Sequence, residues 1–531
     1  MNTRTAVALG LGLAFAVTAC GDSADDELEA SDIDGSISMA VTEPEILIPG
    51  RQSVAFDFGM AVWSPLIYLE LDGELNYIQA ESVESDDQTT WTITLREGWT
   101  FHDGSPVTAQ DYIDSWNAVA YGPNAFENSG QLANIVGFDD LNPAEGEPET
   151  DEMEGLNLVD ELTFEVELVG PDSQFPVQLT QAQTALFPMP PSAFEDFDAY
   201  NEHPIGNGQF AMVDTYVESE PITVRAYEDY AGDPPNIGEI TFVAYSDQVT
   251  AYTDALAGNI DVSGVPANRR TQAEDDFGAD RNYNFEAPGM NHLGLPLWDE
   301  RYDDIRVRQA ISLAIDRETI NDVVFGGAWE PATAWTPAVM PGTPEGICGE
   351  YCEYDPEAAA ELLEEAGGFE GDMEIVFPGG SGQDDYYNAI ANNIRQNLGI
   401  EAVAAPTVDW AEFAERRENA EIDGPFFSRW GALYPSQQAT IREMYLETGG
   451  CTNCVPMYLP EIEEALAEAD ATGDESGEAY AAVHEILQEN FPVVPMFFET
   501  YSYATSERVE ELVTQPGGNP RLSHIVLVDE D

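Results

Sequence analysis

Apolar residues recur along this chain at two spacings, and the two spacings alternate. Trp91, Ile93 and Leu95 are separated by single threonines, the period-two pattern of a half-buried strand. Thr163 to Val169 alternates in the same way, and Phe210 to Val213 and Ile240 to Tyr245 also read as strands. Thr108 and Asp111 have capping-box spacing and predict a helix running through Trp116. Val249 to Leu256 reads as a short helix, stopped at Gly258 before a strand that reaches Val262. The second half is richer in helix. Asp304 can cap a helix whose Ile305, Ala310, Ile311, Ala314 and Ile315 share one face. Asp355 and Pro356 open another, with Ala359, Leu362, Leu363 and Ala366 as its stripe and Gly367 as its stop. Tyr386 to Leu398, Ile462 to Ala469 and Tyr480 to Leu487 are further amphipathic stretches. Turns are predicted at His102-Asp103-Gly104 and Gly206-Asn207-Gly208, and an exposed acidic insertion at 142–154. Strands alternating with helices predict α/β lobes. The 531 residues suffice for two or three lobes of ~100–200 residues each.

Charge narrows the partners. The chain carries 101 acidic residues against 18 arginines, has no lysine, and holds a formal net charge of −83. Such a surface excludes nucleic acid as a partner and a polybasic grip on anionic lipid. Disorder is excluded for most of the chain, because 43% of its residues are hydrophobic and 10% aromatic. The acidity fits either a saline habitat, where salt screens the self-repulsion, or simple solubility.

Ala6 to Val17 is an apolar run of signal-peptide length behind Arg4. It ends in Val17-Thr18-Ala19-Cys20, which has the form of a lipobox, so Cys20 is expected to carry a lipid and to anchor the chain to a membrane. The acidic stretch 21–35 reads as a tether. Four cysteines remain, Cys348, Cys352, Cys451 and Cys454. In an oxidising compartment they read as disulfides, paired locally or crosswise, with a four-thiolate zinc site as the alternative.

Catalytic patterns are missing. There is no G-x-S-x-G elbow, no H-E-x-x-H and no lysine for a phosphate loop. The five histidines are scattered, and acid pairs are too abundant to single one out. The residues alone reach an anchored extracytoplasmic α/β protein that binds a ligand.

Five blocks carry a resemblance. They are Trp91 to Asp111, His203 to Phe210, Asp304 to Arg317, Tyr354 to Gly367, and Arg429-Trp430-Gly431-Ala432-Leu433-Tyr434-Pro435. Together, in this order, they resemble the family 5 solute-binding proteins, extracytoplasmic receptors of ABC importers for peptides and, in some branches, nickel or oligosaccharides. The resemblance implies a bilobal, periplasmic-binding-protein-like α/β fold (type II, class C) with an extra subdomain and a hinge. It implies a first lobe from 36–72, 205–288 and 506–531, an extra subdomain at 73–204 and a far lobe at 289–505, with hinge crossings near Pro288 and Thr505. It further implies a monomer without a cofactor or catalytic residues, partnered with permease subunits of an ABC importer.

The resemblance also gives the candidate site. The Trp430 block lines the cleft in the family, so Trp430 and Gly431 are expected at the ligand, Arg429 as a bidentate partner for a carboxylate, and Tyr434 through its hydroxyl. Phe58 and Trp63 lie in the segment that borders the cleft in the family, with core packing as their alternative. His102 and Asp103 are expected to brace a turn, and Arg306, Arg308 and Arg317 to form structural ion pairs. One departure stands out: peptide-binding members commonly place Asp where this chain has Leu433, and that Asp meets the peptide's α-ammonium. The expected ligand is a peptide; another small solute such as an oligosaccharide or nickel complex is the alternative. A secreted hydrolase or adhesin on the same fold is the rival from a different class.

Overall fold

Trp91, Ile93 and Leu95 do fall on one face of a strand, and that face is buried. The computed structural model describes residues 33–528 except 45, 53, 71–72, 181–185, 448, 473–476 and 516; the leader, Cys20 and most of the tether lie outside them. The strands of the two larger sheets, in chain order, begin with β1 (Ser36–Val41), β2 (Ala80–Glu84), β3 (Thr90–Leu95), β4 (Leu156–Asp160) and β5 (Thr163–Glu167). Strands β2 to β5 form a separate antiparallel sheet in the order β2-β3-β5-β4. The helix Ala109–Ala120 belongs with it, opened by the capping box: the Asp111 carboxylate accepts from Thr108 N and Oγ1, both at 2.7 Å.

The main sheet takes β1 and nine later strands. These are β6 (Phe210–Met212), β7 (Ile222–Ala226), β8 (Glu239–Ala244), β9 (Val262–Gly264), β10 (Asn282–Gly294), β11 (Met373–Phe377), β12 (Ala402–Pro406), β13 (Phe426–Gly431) and β14 (Val494–Thr505). Their spatial order is β12-β11-β13-β10-β14-β9-β1-β8-β7-β6, with Glu330–Pro331 paired to β14 off this path. One large hydrophobic core gathers Phe58, Trp63, Trp116, Phe164 and Phe242. A second gathers Trp335, Ile375, Tyr387, Phe426 and Phe491. The fold is the expected bilobal α/β arrangement, and β10 and β14 run through both halves. Tyr283, Phe285 and Tyr503 pack on the first core, whereas Leu293, Val494 and Phe497 belong to the second.

The β10–β14 ladder breaks between the two cores. Glu286 pairs with Thr500 and Met290 with Phe498, so Ala287, Pro288 and Gly289 face Glu499 alone. Proline cannot donate to a ladder, and a bulge is where a sheet tolerates it. Gly289 is required for space: a Cβ there would stand 2.3 Å from Glu499 Oε2. The interruption coincides with the expected crossing at Pro288. On β14 the residue that faces this interruption is Glu499, six residues before the expected crossing near Thr505.

His102 braces its turn from a distance. Its Nδ1 accepts from Gly206 N at 3.2 Å and its Nε2 donates to Gly208 O at 3.0 Å. That loop lies against Val62 so closely that a Cβ on Gly206 would be 2.0 Å from Val62 O. Burial drives the His102 ring down to about 4, so it stays neutral. Asp103 Oδ1 accepts from Ser105 N at 2.9 Å and Oγ at 2.6 Å.

Of the three arginines read as ion pairs, Arg306 alone pairs with a carboxylate, that of its own N-cap Asp304 at 2.6 Å. Arg308 and Arg317 are buried and hydrogen-bonded chiefly to carbonyls. Arg308 donates to Phe491, Tyr302, Asp303 and Asn490; Arg317 donates to Pro495, Ser312 and Ile315, and to the Ser312 hydroxyl. Backbone dipoles replace the expected carboxylates, and desolvation lowers both guanidinium groups to about 10. The cysteines close two local disulfides, Cys348–Cys352 and Cys451–Cys454, in place of cross-pairs or a zinc site. Among the described residues no helix is long and apolar enough to cross a membrane.

Candidate functional site

A cavity of about 580 Å³ opens where the β10–β14 ladder is interrupted. Its second-core side is the end of β13 and the following turn, Arg429 to Pro435; Pro288 and Tyr501 come from the two long strands. Phe56, Asn128 and Asn519 line it from the first-core side. The wall is therefore built by residues that the sequence scatters over more than four hundred positions.

Arg429 leaves β13 toward β14. Its Nε meets Glu499 Oε1 at 2.6 Å and its Nη2 meets Oε2 at 2.7 Å, a fork-on-fork pair. Asn291 Nδ2 adds a third bond to Oε1 at 2.5 Å. Glu499 is 5% exposed and Arg429 38%, so the carboxylate is the buried partner and the guanidinium borders the cavity. Glu499 is also the largest influence holding Arg429 charged. The bidentate carboxylate partner expected for Arg429 is thus the chain's own.

Trp430 pairs with Met290 across β13 and β10, packs against the second core and contributes to the cavity wall. Its indole Nε1 is enclosed without a hydrogen-bond partner. Gly431 lines the cavity, with no atom within 4 Å of the position a Cβ would take. Leu433 presents an apolar surface there. The Tyr434 ring is on the wall but its hydroxyl is not available: it donates to Gln438 Oε1 at 2.7 Å, and burial raises its pKa.

Phe58 and Trp63 stand apart from this cavity. Both are fully buried in the first core, edge to face at 6.2 Å, with Phe242 5.9 Å from Phe58. The helix Phe56–Val62 turns its Phe58 face to the core, and Phe56 is the aromatic that it offers to the cavity. Sequence reasoning missed Phe56, because both residues are phenylalanines two positions apart in a short helix. It also missed Glu499 and Asp57, for which one acid among 101 gives no signal.

A smaller chamber of about 260 Å³ adjoins the first, sharing Phe56 and Asn519 as lining residues. Asp57, Tyr245, Gln248, Ser263 and Tyr503 complete much of its wall. Burial pushes the Asp57 carboxyl up to about 7. Among the described residues no group of three or more His, Cys, Asp or Glu side chains could hold a metal ion.

Residues 74–450, more than half of the chain, match the family model of the bacterial extracellular solute-binding proteins, family 5 (its middle region). The periplasmic oligopeptide-binding protein OppA of Haemophilus influenzae is 26% identical over 489 residues, covering 87% of this chain and 86% of that protein. The probable deoxycholate-binding periplasmic protein YgiS of Escherichia coli is 24% identical, covering 86% of each. Among solved structures, the periplasmic murein tripeptide-binding protein MppA in its unliganded open form superposes with a TM-score of 0.77 at 22% identity, over 94% of this chain and 98% of that one. Haemophilus influenzae OppA in complex with RPPGFSPFR superposes with a TM-score of 0.73 at 22% identity, over 94% of this chain and all of that one. A cavity at the interrupted ladder of a two-core α/β fold, with a family match over most of its length, makes this chain a member of the bacterial extracellular solute-binding proteins, family 5.

Proposed function

We propose that this chain is the substrate-binding component of an ABC importer, that its solute is a peptide, and that it acts without catalysing a reaction. The observation that carries the reading is the 580 Å³ cavity at the β10–β14 interruption, lined from both cores by aromatic rings and main chain. Such a lining suits a ligand held through its backbone with side chains loosely specified. The relatives named OppA and MppA support a peptide. Trp430, Gly431 and Leu433 form one wall of the site, and Arg429 acts through its border position, since its fork is engaged by Glu499.

In this reading the first lobe is 36–72, 205–288 and 500–531, the subdomain 73–204 and the far lobe 289–499, with the last boundary drawn before the expected 505 because Tyr503 packs on the first core. The lobes close about the paired crossings at Pro288 and Glu499. Cys20 carries a lipid that tethers the receptor, as a monomer, outside the membrane beside its permease. Mass spectrometry of the membrane-extracted protein tests the anchor: a diacylglycerol-sized addition on Cys20 is expected, and an unmodified Cys20 refutes it.

A second reading, a receptor for a different small solute, is favoured by Leu433, which gives the cavity an apolar surface. The relative YgiS is named for a non-peptide ligand. A thermal-shift screen in matched salt separates the two. Stabilisation growing as RT ln(1 + [L]/Kd) with short peptides supports the first. A shift confined to oligosaccharides, bile-acid-like amphiphiles or nickel chelates supports the second.

A further inference from the structure

The smaller chamber holds a carboxyl group without a counter-charge. Asp57 Oδ1 is enclosed by protein and has no hydrogen-bond partner. No arginine, lysine or histidine lines the chamber among the described residues. Asp57 lies in the first turn of the helix Phe56–Val62 but makes no capping hydrogen bond there. A carboxylate held this way opposes its own ionisation until a cation joins it. Its neighbours are suited to one. Phe56, Tyr245 and Tyr503 line the same space, and aromatic faces attract alkylammonium groups. The other acids near the larger cavity are differently placed: Glu499 is held by Arg429 and Asn291, and Glu127 is exposed to solvent.

We propose that Asp57 and the rings of Phe56, Tyr245 and Tyr503 form a subsite for an alkylammonium group of the captured solute. The subsite lies beside the larger cavity and shares Phe56 and Asn519 with it, so one solute can reach both. This rests on the reading of the chain as a solute receptor and adds to it a charge requirement. Asp57 is half-buried, and the enclosure of its unpartnered Oδ1 displaces the carboxyl upward to about 7; a bound ammonium would reverse that.

The test uses the full chain as wild type and as Asp57→Asn, with Asp57→Ser as the second variant should the first fail to fold. Each is exposed to pooled tetrapeptides in free-amine and N-acetylated forms, and the retained fraction is read by native mass spectrometry. In parallel each is melted with n-butylamine and with n-butanol. The expected result is retention of free-amine over acetylated peptides by about tenfold or more in the wild type, with the preference lost in Asp57→Asn. The amine, and not the alcohol, raises the wild-type melting temperature alone. Equal retention of both peptide forms, with an amine effect that depends on Asp57, supports the subsite and assigns it a side-chain or free amine. No peptide retained, with the amine effect intact, refutes the peptide reading and upholds the subsite. A preference that survives Asp57→Asn, or no Asp57-dependent response to any amine, overturns the subsite. A lower melting temperature of the ligand-free Asp57→Asn protein, with its peptide preference unchanged, gives Asp57 a structural role instead.

Discussion

Arg442 bonds Asp172 at 3.1 Å, and the two side chains belong to segments that pack on different cores. Phe175 and Leu179, beside Asp172, lie in the first; Ile441 and Met444, beside Arg442, lie in the second. The same guanidinium holds Asp470 at 2.8 Å, and Gln438 donates to Asp172 Oδ1 at 2.8 Å. Val177 packs beside Met340, Ala432 and Tyr434 immediately behind the cavity wall. Closure of the lobes would make this contact, and opening would break it.

Removing Arg442 should therefore cost stability and release the lobes together. Arg442→Met leaves Asp172 and Asp470, 3% and 5% exposed, as two carboxylates without their shared cation. The expected loss is about 2–4 kcal/mol in urea melts, toward the lower end for a broken buried pair because Arg442 is 30% exposed. The radius of gyration of the ligand-free protein should rise in small-angle scattering. A loss below ~1 kcal/mol, the value of a surface pair, with an unchanged radius would contradict the contact's role.

Trp430 and Phe58 should part company under mutation. Trp430→Ala is expected to weaken binding of a stabilising peptide about tenfold or more, since it removes a wall of the cavity. Phe58→Leu is expected to leave that affinity unchanged and to lower stability by about 1–2 kcal/mol, because its ring is in the core. Calorimetric titration and melts on the two proteins decide it; equal effects on affinity would refute the division.

The pH dependence of stability should carry the mark of Asp57. Its native carboxyl sits at about 7 against an ordinary value of 3.8, so the native state binds the proton more tightly than the unfolded chain. That contribution is fully present below the ordinary carboxylate range and is lost as pH rises toward about 7. Asn loses nothing over this window. Tyr245, Tyr501 and Tyr503, which face or feel Asp57, are themselves raised above the tyrosine range and stay neutral throughout. The melting temperature of Asp57→Asn minus that of wild type should thus be near zero at about pH 4 and grow to a plateau above about pH 7. A difference independent of pH would contradict it.

Much of the fold was legible because its cause is local. Alternation placed β3 and β5, and Asp304 and Asp355 capped the helices expected of them. The five sequence blocks carried the two-lobed arrangement. What stayed hidden depends on distant partners. Arg308 and Arg317 look like ion-pair residues, yet carbonyls at a strand end and a helix end supply their bonds. Glu499 matters because a three-residue interruption in β10 faces it, and nothing near position 499 announces that. The Arg429 block was found, but that its fork closes on Glu499 follows only from the β13–β10–β14 register. Phe58 and Phe56 differ by which side of one helix turn meets the core, and a seven-residue helix has too few positions for a periodicity to show it.

The central claim is that the cavity at Pro288 and Glu499 captures a solute peptide. Native mass spectrometry of the protein purified in salt without a denaturing step tests it most directly. The account predicts bound masses that fragment as short peptides, lost from Trp430→Ala and absent after unfolding and refolding. A protein that carries no peptide and binds none from a mixed pool, while remaining folded by its melting profile, would contradict it.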